Sequence, residues 1–187
     1  MRRLSVFNNV SLDGYFVDAD GNMSWAHDGS NDPEFAAFTA GNASSEGALI
    51  FGRVTYEMMV QFWPTEAASA VMPEVAAGMN RMDKIVFSRT LGSSDWQNTR
   101  IIHDDPVSAM RRLKQEIGPH LTILGSGTIV AQLAAAGLVD EYRLIICPVV
   151  LGRGRTMFEG MKKPIGLART SVRVFDNGKI HACYEPT

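Results

Sequence analysis

Two short glycine turns carry the chemistry in this sequence: Phe51-Gly52-Arg53-Val54-Thr55 and Leu124-Gly125-Ser126-Gly127-Thr128. Each follows an apolar run and opens onto good helix formers, so each sets unpaired backbone N–H groups and the positive end of a helix dipole at a strand end. Glycine lets an anion approach that backbone, and two such ends can hold one pyrophosphate between them. A single turn of this kind is more often only a turn. The pair gains weight from a third strand end, Ser88-Arg89-Thr90, which joins hydroxyls to a guanidinium. Recognition of a ribose 2′-phosphate needs that combination, because arginine pairs bidentately with a dianion. The three segments together point to a dinucleotide.

Spacing excludes other chemistries. His27, His103, His120 and His181 fall in separate segments with no i, i+4 pair, and Cys147 and Cys183 form no CxxC, so no zinc site is expected. Asp18 and Asp20 begin a calcium-loop pattern, but its sixth position is Met23 where the loop requires glycine. There is no GxSxG elbow, and Val130 stands where the dinucleotide fingerprint of a doubly wound fold places its third glycine. With 18 Lys plus Arg against 20 Asp plus Glu, the net charge of -2 offers no basic excess for nucleic acid. Both cysteines sit in apolar runs, which reads as buried free thiols in a reducing compartment. No apolar window approaches a membrane span, so a cytoplasmic protein without a membrane partner is expected.

The elements that must position these turns follow from periodicity. At 187 residues, 45% hydrophobic and 20% charged, the chain suits a single globular domain over residues 1–187. Leu4 to Val10 reads as a strand feeding a long loop through Asp18, Asp20, Gly21 and Asn22. Asp32-Pro33 caps a helix with Phe35 and Phe38 on its apolar face. Gly47 to Gly52 is a strand, followed by a helix from Val54 to Phe62. A methionine-rich helix is expected over Met72 to Met82, against a partner subunit or the core. Lys84 to Ser88 and Arg100 to His103 are strands, and Asp105-Pro106 caps a helix with Val107, Met110, Leu113 and Ile117 at helical spacing. Leu121 to Leu124 then leads into a helix from about Thr128 to Ala136. After Asp140 the chain turns antiparallel: a long strand from Tyr142 to Leu151, then Val172 to Phe175 and Ile180 to Tyr184 about Asp176-Asn177-Gly178, a hairpin signal. The expected fold is α/β, a mixed, mostly parallel central sheet flanked by helices with a C-terminal antiparallel hairpin.

Ser11-Leu12-Asp13-Gly14, Phe51-Gly52-Arg53-Val54-Thr55-Tyr56-Glu57, Lys84-Ile85-Val86-Phe87-Ser88-Arg89, Gly125-Ser126-Gly127-Thr128, Gly137-Leu138-Val139-Asp140-Glu141 and Pro148-Val149-Val150-Leu151-Gly152-Arg153-Gly154 occur in that order along nearly the whole chain. In this the sequence resembles the reductase domain of bifunctional riboflavin-biosynthesis deaminase-reductases, within the dihydrofolate reductase superfamily. The deaminase half, with its zinc-ligand motif, has no counterpart here, so the likeness is to the stand-alone relatives.

The resemblance implies a dihydrofolate reductase-like fold and NADPH as hydride donor. It implies Arg53, Ser88 and Arg89 at the 2′-phosphate, with Gly52, Thr55, Gly125, Ser126, Gly127 and Thr128 around the pyrophosphate. Val10 and Leu12 would flank the nicotinamide. A small heterocyclic or carbonyl-type substrate would lie against Asp13, Trp25, Met59, Phe62 and Trp63. Asp13 would donate or orient the proton that follows hydride transfer, and its plain alternative is a turn residue before Gly14. Met59, Phe62 and Trp63 could equally be core. Where dihydrofolate reductases carry a folate-binding carboxylate two residues after the proline, this chain has Phe35, with Glu34 beside it. The alternatives to the reductase reading are dihydrofolate reductase activity and nucleotide binding without catalysis. Apolar surface on the Pro148 to Leu151 segment and the terminal hairpin implies a homodimer.

Overall fold

The computed structural model describes residues 1–27, 32–44 and 46–187. The chain runs through β1 (Leu4–Ser11), β2 (Tyr15–Val17), a 3-10 turn at Ser24–Ala26, α1 (Pro33–Ser44), β3 (Ala48–Gly52) and α2 (Arg53–Val60). Then come α3 (Glu66–Val71), α4 (Pro73–Arg81), β4 (Asp83–Phe87), β5 (Thr99–Ile102) and α5 (Pro106–Gln115). It finishes with β6 (Leu121–Leu124), α6 (Gly127–Ala135), β7 (Glu141–Cys147), β8 (Arg155–Thr156), β9 (Leu167–Val174) and β10 (Ile180–Pro186).

The eight-stranded sheet has the order β5-β4-β3-β6-β1-β7-β10-β9, and β2 and β8 form a separate ribbon. Strands β5 through β7 in that order pair in parallel, while β10 runs antiparallel to both β7 and β9. The interior strands are apolar on both faces, as parallel strands covered by helices must be. In β3, Ile50 points into the cluster with Met110, Leu121 and Leu133, whereas Leu49 and Phe51 point into the opposite one with Tyr56, Met79 and Trp96. The chain steps from β1 out to β3, β4 and β5, returns to β6, then crosses β1 to reach β7. The strand order therefore turns at β1, and in open α/β sheets ligands bind beyond the carboxyl ends at such a point. Val10 to Asp13, Gly52 to Thr55, Ser88-Arg89 and Gly125 to Thr128 all lie along that edge.

The expected mixed α/β fold is present, with local differences. The seventh strand ends at Cys147, four residues short of Leu151, because Pro148 has no N–H to continue the ladder. Helix α5 ends at Gln115, and Ile117 is fully exposed, since Glu116 leaves helical geometry (ψ 152°) just before Gly118-Pro119. The methionine-rich helix expected over Met72 to Met82 is α4, begun by Pro73 and capped by Met72 and Met82, with the separate α3 ending just before it. Met79 and Met82 are buried in the core, and Gly78 lies so close to α1 that a Cβ would come within 2.1 Å of the Ala43 carbonyl oxygen. Strand β9 begins at Leu167, five residues earlier than Val172. All eight of its residues are exposed, so no burial alternation marks it in the sequence. The β2–β8 ribbon was not foreseen from the sequence; it buries Phe16 and Val17.

Candidate functional site

The two glycine turns are bolted together. Ser126 adopts left-handed backbone geometry (φ 57°), and its Oγ accepts a hydrogen bond from the Gly52 N–H at 2.6 Å. Both the N–H and the Oγ of Ser126 donate to Thr55 Oγ1, each at 3.0 Å. From the other side, Asn8 on β1 accepts the Gly125 N–H at 2.6 Å, while its Nδ2 donates to Met157 Sδ at 2.8 Å. Thr55, Ser126 and Asn8 are all buried. These bonds use the amides of Gly52, Gly125 and Ser126, while helix geometry leaves the first-turn N–H groups of α2 and α6 without intrahelical partners.

The glycines have distinct reasons. Gly125 sits at φ +60°, and a Cβ there would meet Thr55 Cγ2 at 2.8 Å. At Gly127 a Cβ would come within 2.8 Å of the Phe16 ring, so this glycine makes room for the β2–β8 ribbon rather than for a ligand. Thr55 and Ser126, expected beside a pyrophosphate, spend their hydroxyls locking one turn to the other. A pyrophosphate fits the pair, because two helix starts are fixed side by side by the Ser126 and Thr55 bonds.

At the β4 end, Ser88 Oγ accepts from the Thr90 and Leu91 N–H groups, and the Ser88 carbonyl meets His103 Nδ1 at 2.7 Å. Arg89 is exposed nearby and lies within electrostatic reach of Asp105. Asp105 caps α5 and is held below the usual carboxylate range, chiefly by the Ser108 N–H. Arg53 at the start of α2 pairs with Glu57 one turn on, at 2.7 Å. That pair is half exposed, and exposed ion pairs are weak enough for a dianion to displace.

On the β1 loop, Ser11 Oγ donates to Asp13 at 2.6 Å, and the Leu151 and Gly152 N–H groups donate to its two oxygens at 3.2 and 2.7 Å. Ser11, then the backbone of Gly152 and Leu151, hold the Asp13 carboxyl below its usual range. A carboxylate so stabilised stays ionised near neutrality. Val10 is buried and Leu12 is 67% exposed.

The residues expected to face a substrate belong to different apolar clusters. Trp25 packs with Phe7, Phe35, Phe38 and Val149, whereas Met59 and Trp63 pack in the cluster around Phe51 and Trp96. The Trp63 indole N–H donates to Met59 Sδ at 3.1 Å. Phe62 is exposed and stacks edge-on against Trp63. Asn8 was missed as a positioning residue; a polar residue on an inward position of an apolar strand was the available signal.

The family model described as the RibD C-terminal domain matches residues 2–180. The chain belongs to this family. Among solved structures, a candidate riboflavin-biosynthesis protein of Shewanella sp. PV-4 is 20% identical, with a TM-score of 0.73 and 99% of both chains covered. Dihydrofolate reductase from Enterococcus faecalis, complexed with NADP(H), is 14% identical with a TM-score of 0.65, over 99% of this chain and 96% of that one. The Thermotoga maritima diaminohydroxyphosphoribosylaminopyrimidine deaminase/5-amino-6-(5-phosphoribosylamino)uracil reductase is 13% identical with a TM-score of 0.67. All of this chain aligns with 57% of that one. The RibD C-terminal domain described here thus has a dihydrofolate reductase-like fold. No helix among the described residues is long and apolar enough to cross a membrane.

Proposed function

We infer that this chain is an NADPH-dependent reductase that passes hydride to a small heterocyclic or carbonyl-type substrate. The observation that carries the reading is the locked pair of turns: Ser126 joins Gly52 and Thr55, so two helix starts are held side by side at the carboxyl edge of the sheet. When bound, NADPH would supply the hydride from its nicotinamide ring. The first-turn amides at Arg53, Gly127 and Thr128 bind the pyrophosphate, with Gly52, Thr55, Gly125 and Ser126 keeping them in register. Ser88, Arg89 and Arg53 take the 2′-phosphate, and Val10 and Leu12 flank the nicotinamide.

Asp13, held ionised by the loop, orients the water that returns a proton to the reduced substrate. Trp25, Met59, Phe62 and Trp63 contact the substrate from two sides. Folate is disfavoured as that substrate. Phe35 packs edge-on against Phe175 with ring centroids 5.1 Å apart, and the neighbouring Glu34 is paired with Arg173. Among the described residues, neither Phe35 nor the paired Glu34 offers a free carboxylate at that position. The wholly exposed edge strand β9 supports a homodimer formed by this face, checked by light scattering at micromolar concentration.

Calorimetric titration of NADPH and NADH tests the reading, followed by a substrate screen that watches nicotinamide absorbance. NADPH is expected to bind at least roughly tenfold tighter, since a charge-assisted contact contributes about 1.5–3 kcal/mol. Arg89→Ala is expected to remove most of that preference and leave NADH affinity unchanged. Equal affinities for the two cofactors in the unmodified chain would overturn the assignment. NADPH binding without turnover of any oxidised substrate would favour a nucleotide-binding protein.

A further inference from the structure

A groove of about 1300 Å³ runs along α6, away from the sheet edge, between that helix and the segment 155–165. It starts beside Gly127 and Thr128 but reaches Gly137, Asp140 and Arg3 at the opposite end of the sheet. Nine residues of helix span roughly 13 Å, the length of a fused ring system or a medium acyl chain. Ala131 and Ala135 on the helix side and Met161, Pro164 and Ile165 on the other give its walls apolar stretches between polar residues.

Two features separate this groove from an ordinary surface cleft. The first is Tyr142 on its floor, 1% exposed, whose hydroxyl has no hydrogen-bond partner among the described residues. A buried hydroxyl without a partner is costly, and that cost is recovered by anything that supplies an acceptor. The same residue borders a second cavity of about 570 Å³, and Met161 to Ile165 line both cavities. The second feature is charge. Arg3 is paired with Glu185, Asp140 with Lys114 and Arg155 with Glu159. Lys162 and Lys163, adjacent on the rim, enter none of the ion pairs among the described residues. The groove thus carries two uncompensated positive charges beside apolar stretches and an unused hydroxyl.

We propose that the groove binds a small organic anion with an apolar body, its acidic group at Lys162 and Lys163 and a polar acceptor reaching the Tyr142 hydroxyl when Met161 to Ile165 shifts aside. Burial keeps that phenol protonated far above neutrality, its pKa pushed up to about 12, so it remains a donor. The site is independent of the nicotinamide reading. Its occupant shares only the first turn of α6 with the proposed cofactor.

The test uses the full chain with the fluorescent probe anilinonaphthalene sulfonate and with decanoate as a displacing ligand. One saturable site per chain is expected, displaced by decanoate and not by NADPH. Replacing both lysines, Lys162→Ala with Lys163→Ala, is expected to weaken the probe roughly fivefold. Tyr142→Phe should weaken decanoate roughly two- to tenfold. Ala135→Trp, at an exposed helix position, should abolish binding by filling the groove, with an unchanged melting temperature showing that the fold is intact. Displacement by NADPH, or binding indifferent to Ala135→Trp and to the lysine pair, would overturn the proposal. A dimer that Ala135→Trp converts to monomer without any probe site would assign the groove to a second copy of the chain instead.

Discussion

Around Gly52–Thr55 and Gly125–Thr128, buried side chains spend their polar atoms on backbone: Asn8 on Gly125, Ser126 on Gly52, and Thr55 on Ser126. The residues expected to touch a substrate are joined differently. Trp25 belongs to one apolar cluster, Met59 and Trp63 to another, Phe62 is exposed, and Asp13 is tied to Ser11 and to the loop at Leu151 and Gly152. The first region is held by directional bonds that tolerate no change of register. The second is held by packing and a loop contact, which can be rearranged without disturbing the sheet. A fold that keeps one ligand and varies another would be divided this way, with the shared ligand on the rigid side.

The comparison breaks most sharply at Gly125. An alanine there combines left-handed strain with overlap on Thr55 Cγ2 at 2.8 Å, so Gly125→Ala is expected to cost about 2–4 kcal/mol. Urea unfolding measures this. Adding Thr55→Ser keeps the hydroxyl and removes the offending methyl, so the double variant should regain part of the loss. Simple additivity would show that the two turns are not in contact in solution.

A smaller effect is expected from Thr55→Val, which preserves shape and deletes the oxygen that Ser126 uses twice. Stranding buried donors costs about 1–3 kcal/mol. NADPH affinity should fall with it, roughly tenfold, as the two helix starts lose their register. Loss of stability with untouched NADPH affinity would leave the turns as mere scaffold.

The difference between the regions also decided what could be read from sequence. Glycine turns, the Asp105-Pro106 cap and the Asp176-Asn177-Gly178 hairpin are local signals, because backbone geometry at those positions demands those residues, and each lies where expected. Asn8 stood out only as a polar residue in an apolar strand. Its partner Gly125 is 117 residues away, and nothing in an apolar strand tells which loop a polar side chain will reach. The split of Trp25 from Met59 and Trp63 was hidden likewise, since helical spacing reports a buried face but not which cluster it enters. Lys84 is another case: a fully buried lysine in an apolar strand, its ammonium donating to the Met79, Asn80 and Met82 carbonyls at the end of α4. Burial drives its pKa down to about 8, and the run Lys84 to Ser88 reads only as a strand.

The least disruptive change is expected on the substrate side, at Asp13. Asparagine retains an oxygen able to accept from Gly152 or Leu151 but loses the charge that those N–H groups and Ser11 stabilise. Since the folded-state pKa lies below the ordinary value of 3.8, the ionised form favours the folded chain. That contribution is fully present above 3.8 and fades as pH falls through the lower folded-state value, where the carboxyl is protonated in both states. Asp13→Asn should therefore melt slightly below the parent at neutral pH, by less than Thr55→Val, and the gap should close in acid. A gap that persists at the acid end would mean that shape rather than charge anchors the loop. Asp13 would then be the turn residue that its place before Gly14 also permits.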